Sequence, residues 1–164
     1  NGTTGHLGGE LFKSLTGTFI THVPYRGSPM AIQDLIGGQI DLMFDNLSSI
    51  LPHMKAGRVK ALGVSGARRS PLFPQLPTIQ EAGVKGYETT AWGGIVGPAG
   101  MAGDIVTRLN TEINKVLGTP AIRDRYSQIA FETMASVPNL IMTMARIEAP
   151  RWADVVKRSG ARID

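Results

Sequence analysis

Apolar positions change spacing repeatedly along the first hundred residues. Leu7, Leu11 and Leu15 recur every fourth residue with Phe12 beside them. That helical period predicts a helix over 4–15, capped by Thr3 or Thr4 and ended by Gly17. Phe19-Ile20-Thr21-His22-Val23 is a short β-prone run closed by Pro24. Ser28-Pro29 then opens a helix, because Ser favours the cap and Pro the first turn. Ile32, Leu35 and Ile36 form its apolar face and Gly37-Gly38 stop it. Ile40-Asp41-Leu42-Met43-Phe44 is almost wholly apolar, as a buried parallel strand should be, and Asp45-Asn46 ends it. Leu47, Ile50, Leu51 and Met54 set a third helix up to Gly57, in which Pro52 predicts a kink or a restart with Ser49 as a fresh cap. Lys60-Ala61-Leu62-Gly63-Val64 reads as another strand. Pro71, Pro74 and Pro77 make 65–87 turn-rich, with a short helix near 78–82, and 89–96 reads as extended.

Beyond Pro98-Ala99-Gly100 the pattern becomes helical. Ile105, Leu109, Ile113 and Val116 give an amphipathic helix with Asp104 near its start. A second helix begins at Pro120, and a third runs from about Pro138 to Arg158 with a bend at Pro150. Helix and strand thus alternate over 1–100, which predicts an α/β fold with a mostly parallel sheet and crossover helices. The early strands have few partners, and the late helices have apolar faces with no sheet to cover. The expectation is an incomplete chain whose missing part lies upstream. Alone, it should dimerise or expose a large apolar patch over 104–158.

Composition narrows the chemistry. The 164 residues are 42% hydrophobic and 18% charged, a globular rather than disordered balance. No apolar run approaches the ~18 residues of a membrane-spanning helix. Without cysteine there is no disulfide, Cys-ligated metal or thiol nucleophile. The net charge of +4 is split evenly, +2 before residue 101 and +2 after it, and the longest basic run is Arg68-Arg69. Nucleic-acid binding wants clustered Lys and Arg, so it is not expected.

In an open parallel sheet, ligands sit beyond the carboxyl ends of the strands, at helix N-termini. Three segments fit: Asn1-Gly2-Thr3-Thr4-Gly5-His6, Tyr25-Arg26-Gly27-Ser28 and Asp45-Asn46. In the first two, small residues leave backbone N–H groups and hydroxyls pointing outward, which suits a carboxylate or phosphate. The plainer reading of each is an ordinary cap or turn. Neither nucleotide-binding glycine motif is present. His6, His22 and His53 show no metal-ligand spacing, so no metal or cofactor is expected. In the first turn of a helix, His6 should be neutral and hydrogen-bonded. Ser28 has no base beside it in sequence; His22 and Lys13 are the two the fold would have to bring. Asp41 and Asp45, on one strand, would lie ~13 Å apart, too far for a catalytic carboxylate pair. No catalytic residue is expected. Asp45 reads equally as a ligand contact or as the cap of the helix at Leu47, and Trp92 as a core or hinge residue.

The segments NGTTGHLGGELFK (1–13), HVPYRGSPMAIQDLIGGQIDLMFDNL (22–47), LPHMKAGRVKALGVSGARRSPLFPQLPTIQEAGVKGYETTAWGGIVGPAG (51–100) and RWADVVKRSG (151–160) resemble the solute-receptor family of tripartite tricarboxylate transporters, the Bug or TctC-like receptors. The likeness is densest over 1–100. It departs at 131–138, which lacks the usual Gly-rich turn, and at Pro150. The resemblance implies a periplasmic, type II binding-protein-like receptor of two α/β lobes. Such a receptor would bind a small carboxylate, have no catalytic activity, and work with membrane transporter subunits. Residues 1–92 would be most of the second ligand-binding lobe, lacking its first strand. Residues 93–164 would be the crossover and the C-terminal helices of the first lobe. Carried over by position, the ligand contacts are Thr3, Thr4, Gly5, His6, Tyr25, Gly27, Ser28 and Asp45. The other expectation is a small α/β enzyme acting on a phosphorylated or acyl substrate through the loop at 1–6.

Overall fold

The computed structural model describes residues 2–160. The helices are α1 (Thr4–Thr16), α2 (Ser28–Ile36), α3 (Leu47–Lys55), α4 (Gly103–Leu117), α5 (Pro120–Gln128) and α6 (Leu140–Ser159). They fall where the apolar periods placed them. The chain divides into one unit of Asn1–Ala91 with Arg151–Asp164, and a second of Trp92–Pro150. Trp152 and Val155 join the core of the first unit.

In that core, Leu11, Val155 and Tyr87 are buried, with Leu7, Phe12, Phe44, Ile79, Val84 and Trp152 packed around them. The rings of Phe12, Phe44 and Tyr87 lie 5.8–6.4 Å from one another, within the range in which aromatic pairs attract. Tyr87 is 1% exposed and donates its hydroxyl to the Gly8 carbonyl at 3.2 Å. Burial raises its pKa, against the opposing effects of the Thr89 hydrogen bond and the Arg151 charge. α2 and α3 touch each other, and Ala31, Ile32 and Leu51 are buried.

The expected parallel sheet is not present among the described residues. A single parallel bridge joins Val64 and Thr78, through Val64 N–H to the Pro77 carbonyl and Ile79 N–H to the Val64 carbonyl, both 2.9 Å. Pro77 has no N–H, so it cannot donate the next rung. No backbone hydrogen bond among the described residues ties 19–23 or 40–44 to a second segment. Apolar runs report burial; a ladder also needs a partner at the right register. Nor is 78–82 a helix. Thr78 and Glu81 form a reciprocal cap, with Thr78 N–H to Glu81 Oε2 at 2.8 Å and Glu81 N–H to Thr78 Oγ1 at 3.0 Å. The segment continues as turns toward Gly86. Pro52 lies inside α3 without ending it.

In the second unit α4 and α5 touch each other and bury no residue. Ile105, Leu109 and Val116 of α4 are about half exposed. The segment after α5 is tied to α4 by amides. Asn110 and Asn114 Nδ2 both donate to the Ser136 carbonyl, at 2.9 and 2.8 Å, and Ser136 N–H returns a bond to Asn114 Oδ1 at 3.1 Å. These bonds hold the chain at Ser136 against α4. Trp92 Nε1 donates to Glu148 at 3.1 Å.

Candidate functional site

Thr3 is the cap of α1, and its hydroxyl oxygen accepts the His6 amide at 3.3 Å. The Leu7 amide goes to the Thr3 carbonyl at 3.0 Å. Thr4 and Gly5 are then the first-turn residues whose amides have no intrahelical acceptor. The His6 side chain is 7% exposed, and its Nδ1 accepts the Gly2 amide at 3.1 Å. An accepting Nδ1 carries no proton, which agrees with the neutral state expected at a helix start. Its ring stacks on His22, with centroids 4.0 Å apart. Burial lowers the pKa of both rings; for His6 the neighbouring His22 adds to this, and Glu10 opposes it for both.

Gly27 caps α2 without a side-chain bond, and Pro29 occupies the first turn. The first-turn amides of Ser28 and Met30 are left without intrahelical acceptors. The Tyr25 hydroxyl donates to Asp34 Oδ2 at 2.8 Å, which ties the loop to its own helix. That bond raises the tyrosine pKa above its usual range. The Ser28 hydroxyl donates to Asp45 Oδ1 at 2.8 Å. Asp45 does not cap the third helix; Asn46 does.

Gly5 joins these pieces. A Cβ placed there would meet the Phe44 carbonyl oxygen at 2.3 Å, so the start of α1 lies directly on the peptide preceding Asp45. Two helix starts and the segment Phe44–Asp45 therefore meet within the first unit: Gly5 against Phe44, Asp45 against Ser28, and His6 against His22. The hydroxyl protons of Tyr25 and Ser28 are committed to carboxylates. Backbone amides of Thr4, Gly5, Ser28 and Met30 and the Thr3 hydroxyl are the donors that remain for an anion. Among the described residues no three His, Asp or Glu side chains converge on a metal position. The stacked histidines and the Phe44 contact escaped the sequence reading. Their one signal was the unusual density of glycine at 5, 8 and 9 inside a helix, which marks a close backbone approach.

The model of the tripartite tricarboxylate transporter family receptor, TctC, matches residues 1–161. The chain belongs to this family. An R. palustris protein with adipate is 41% identical, with a TM-score of 0.88 over 97% of this chain and 53% of that one. MatC from Rhodopseudomonas palustris, with bound malate, is 30% identical, with a TM-score of 0.81 over 94% of this chain and 54% of its own. A UPF0065 protein from the tcbD-tcbE intergenic region of Pseudomonas sp. (strain P51) is 36% identical over 94% of this chain and 46% of its own length. The chain thus spans about half the length of the first curated relatives it matches. Its fold is the α/β, periplasmic-binding-protein-like fold of the TctC receptors. The matched family is one of receptors, and the reading as a small α/β enzyme finds no support in it.

Proposed function

We propose that this TctC-family chain is part of an extracytoplasmic receptor that captures a small organic carboxylate for a tripartite transporter and does not transform it. The observation that carries this reading is the meeting of the two helix starts at Gly5–Phe44 and Ser28–Asp45, with donors spare on both. A carboxylate has two acceptor oxygens, and amides at helix N-termini suit them in direction and in sign. The proposed contacts are Thr3, Thr4, Gly5, Gly27 and Ser28, with His6, Tyr25 and Asp45 behind or beside them. Adipate and malate in two related structures set the class of acid to try first. A periplasmic location is supported by the related periplasmic binding protein BugD.

In the same reading residues 1–92 serve the second lobe and 93–164 the crossover and helices of the first. The parallel sheet would be completed by the further length that the relatives possess. The half-exposed apolar side chains of α4 favour association of the isolated chain or an exposed apolar patch. Light scattering is expected to give a dimer or larger species, or dye binding to reveal the patch; a clean monomer that binds no apolar dye overturns that part.

Calorimetry of the intact receptor against adipate, malate and a wider carboxylate panel tests the function. Saturable binding of at least one acid without turnover is expected. Binding of none, or conversion of any, overturns the proposal.

A further inference from the structure

His6 touches both loops of the proposed carboxylate site. On one side its Nδ1 holds the Gly2 amide at 3.1 Å, ahead of the helix cap. On its face it stacks on His22 at 4.0 Å, in the segment that leads to Tyr25–Ser28. Its backbone amide is meanwhile fixed by Thr3. The pattern is a capping box in which His replaces the usual Glu or Gln and reaches back one residue further, to Gly2. Unlike an amide or a carboxylate, this acceptor is removed by protonation near neutral pH.

We propose that neutral His6 is a positioning residue for the carboxylate loop at 2–6, and that a proton taken up at Nδ1 releases Gly2 and loosens that loop. The proposal rests on the receptor reading above and adds a regulation of the same site. Protonated Nδ1 becomes a donor that faces the Gly2 donor, so the bond is lost. The imidazolium would also lie against a second imidazole and at the positive end of α1. The charged and titratable groups around the ring, among the described residues, are Glu10 and Lys13 on α1 and His22 from the opposite segment. Glu10 alone favours the imidazolium. It lies 4.0 Å from Nε2 and is engaged by Lys13 at 2.8 Å. Burial and these neighbours keep the ring neutral at pH 7 and place the change below the ordinary imidazole range.

Two variants separate positioning from mere packing. In His6→Asn the side-chain oxygen takes the place of Nδ1 and accepts from Gly2 at every pH. His6→Gln carries its polar atoms toward the Nε2 position and leaves Gly2 unheld. Amide exchange at Gly2, followed by NMR from pH 7.5 to 5, is expected to be protected at the upper end and lost toward the lower end in the wild type. It should stay protected throughout in H6N and be unprotected throughout in H6Q. Wild-type protection that does not change with pH, or an H6N profile that follows the wild type, overturns the proposal.

A second arm measures adipate and malate binding to the intact receptor and to H6N at pH 7.5 and 5.5. The ratio of the two affinities cancels protonation of the acid itself. That ratio is expected to move several-fold against the wild type at pH 5.5. A constant ratio overturns the regulation while leaving the receptor reading intact. If neither these acids nor the wider panel bind at either pH, the receptor reading fails, and the Gly2 exchange alone decides the positioning role.

Discussion

Ser28 gives its hydroxyl proton to Asp45 Oδ1 at 2.8 Å, while Asp45 Oδ2 is buried with no partner. The carboxylate therefore depends on one donor. Hydrogen bonds to charged groups contribute about 1.5–3 kcal/mol net, and an acceptor left without its donor bears its full desolvation cost. Ser28→Ala is expected to lower the unfolding free energy by about 2 kcal/mol. Asp45→Asn keeps an acceptor for Ser28 and should stay within about 1 kcal/mol of the wild type. Urea unfolding monitored by circular dichroism measures both. A neutral Ser28→Ala, or an Asp45→Asn worse than it, contradicts the dependence.

Gly5 is a helix residue at which alanine should be harmful. Gly to Ala in a helix normally gains up to about 1 kcal/mol. At Gly5 the added methyl would lie 2.3 Å from a backbone carbonyl oxygen, which cannot rotate away as a side chain could. Gly103, first residue of α4, has nothing within 4 Å of its Cβ position. Gly5→Ala is expected to cost about 2 kcal/mol or more by overpacking, and Gly103→Ala to be neutral or slightly stabilising. Thermal unfolding of the two variants beside the wild type decides it; equal melting temperatures would remove the close approach from the account of the site.

How much of this was legible in the sequence depends on the range of the interaction. Helix positions were readable because the apolar period and the caps lie within a few residues of one another. Thr3, Gly17 and Ser28-Pro29 sit at or within a residue of their expected places as caps and first turns. The strands were not readable. Ile40 to Phe44 has the composition of a buried strand, yet pairing requires a distant segment at a defined register, and composition does not name it. The site was half legible. Both helix starts stood out locally, whereas Ser28–Asp45 spans 17 residues and Gly5–Phe44 joins positions far apart in the chain. Trp152 and Val155 return to the first unit for the same reason: core partners are chosen by shape across the fold.

α5 ends with alanine in a glycine position. Ala130 has φ 61°, its amide bonds to the Ser127 carbonyl, and Phe131 N–H bonds to the Tyr126 carbonyl, each at 3.0 Å. The rings of Tyr126 and Phe131 meet edge to face at 6.5 Å. This is a Schellman ending with its hydrophobic contact, and α2 and α3 make the same turn with Gly38 and Gly57. A left-handed alanine costs about 1–2 kcal/mol, partly offset by the extra unfolded-state freedom of glycine. Ala130→Gly is therefore expected to stabilise the protein by up to about 1 kcal/mol. Differential scanning calorimetry should show a higher melting temperature; a decrease would mean that the left-handed turn is not formed in solution.

Acid should weaken the fold in two stages. His6 and His22 hold protons less tightly in the folded chain than the ordinary value of 6.5. Well above pH 6.5 both folded and unfolded rings are neutral, so they give little slope. As pH falls below 6.5 the unfolded chain takes up protons first, and stability declines until the folded rings are protonated too. Glu81 behaves as a depressed carboxylate, held down by the Thr78 amide first and then by Arg69. Its contribution is present above its ordinary value of 4.5 and is lost as pH drops through the lowered one. Urea unfolding at pH 7.5, 6.5, 5.5 and 4.5 is expected to show a shallow fall in unfolding free energy between the first two and a steeper one from 6.5 to 5.5. His6→Asn should flatten part of that second interval and leave the region below pH 4.5 unchanged. A wild-type stability that is level from 6.5 to 5.5, or a slope that His6→Asn leaves intact, would show that the stacked histidines do not couple protonation to folding.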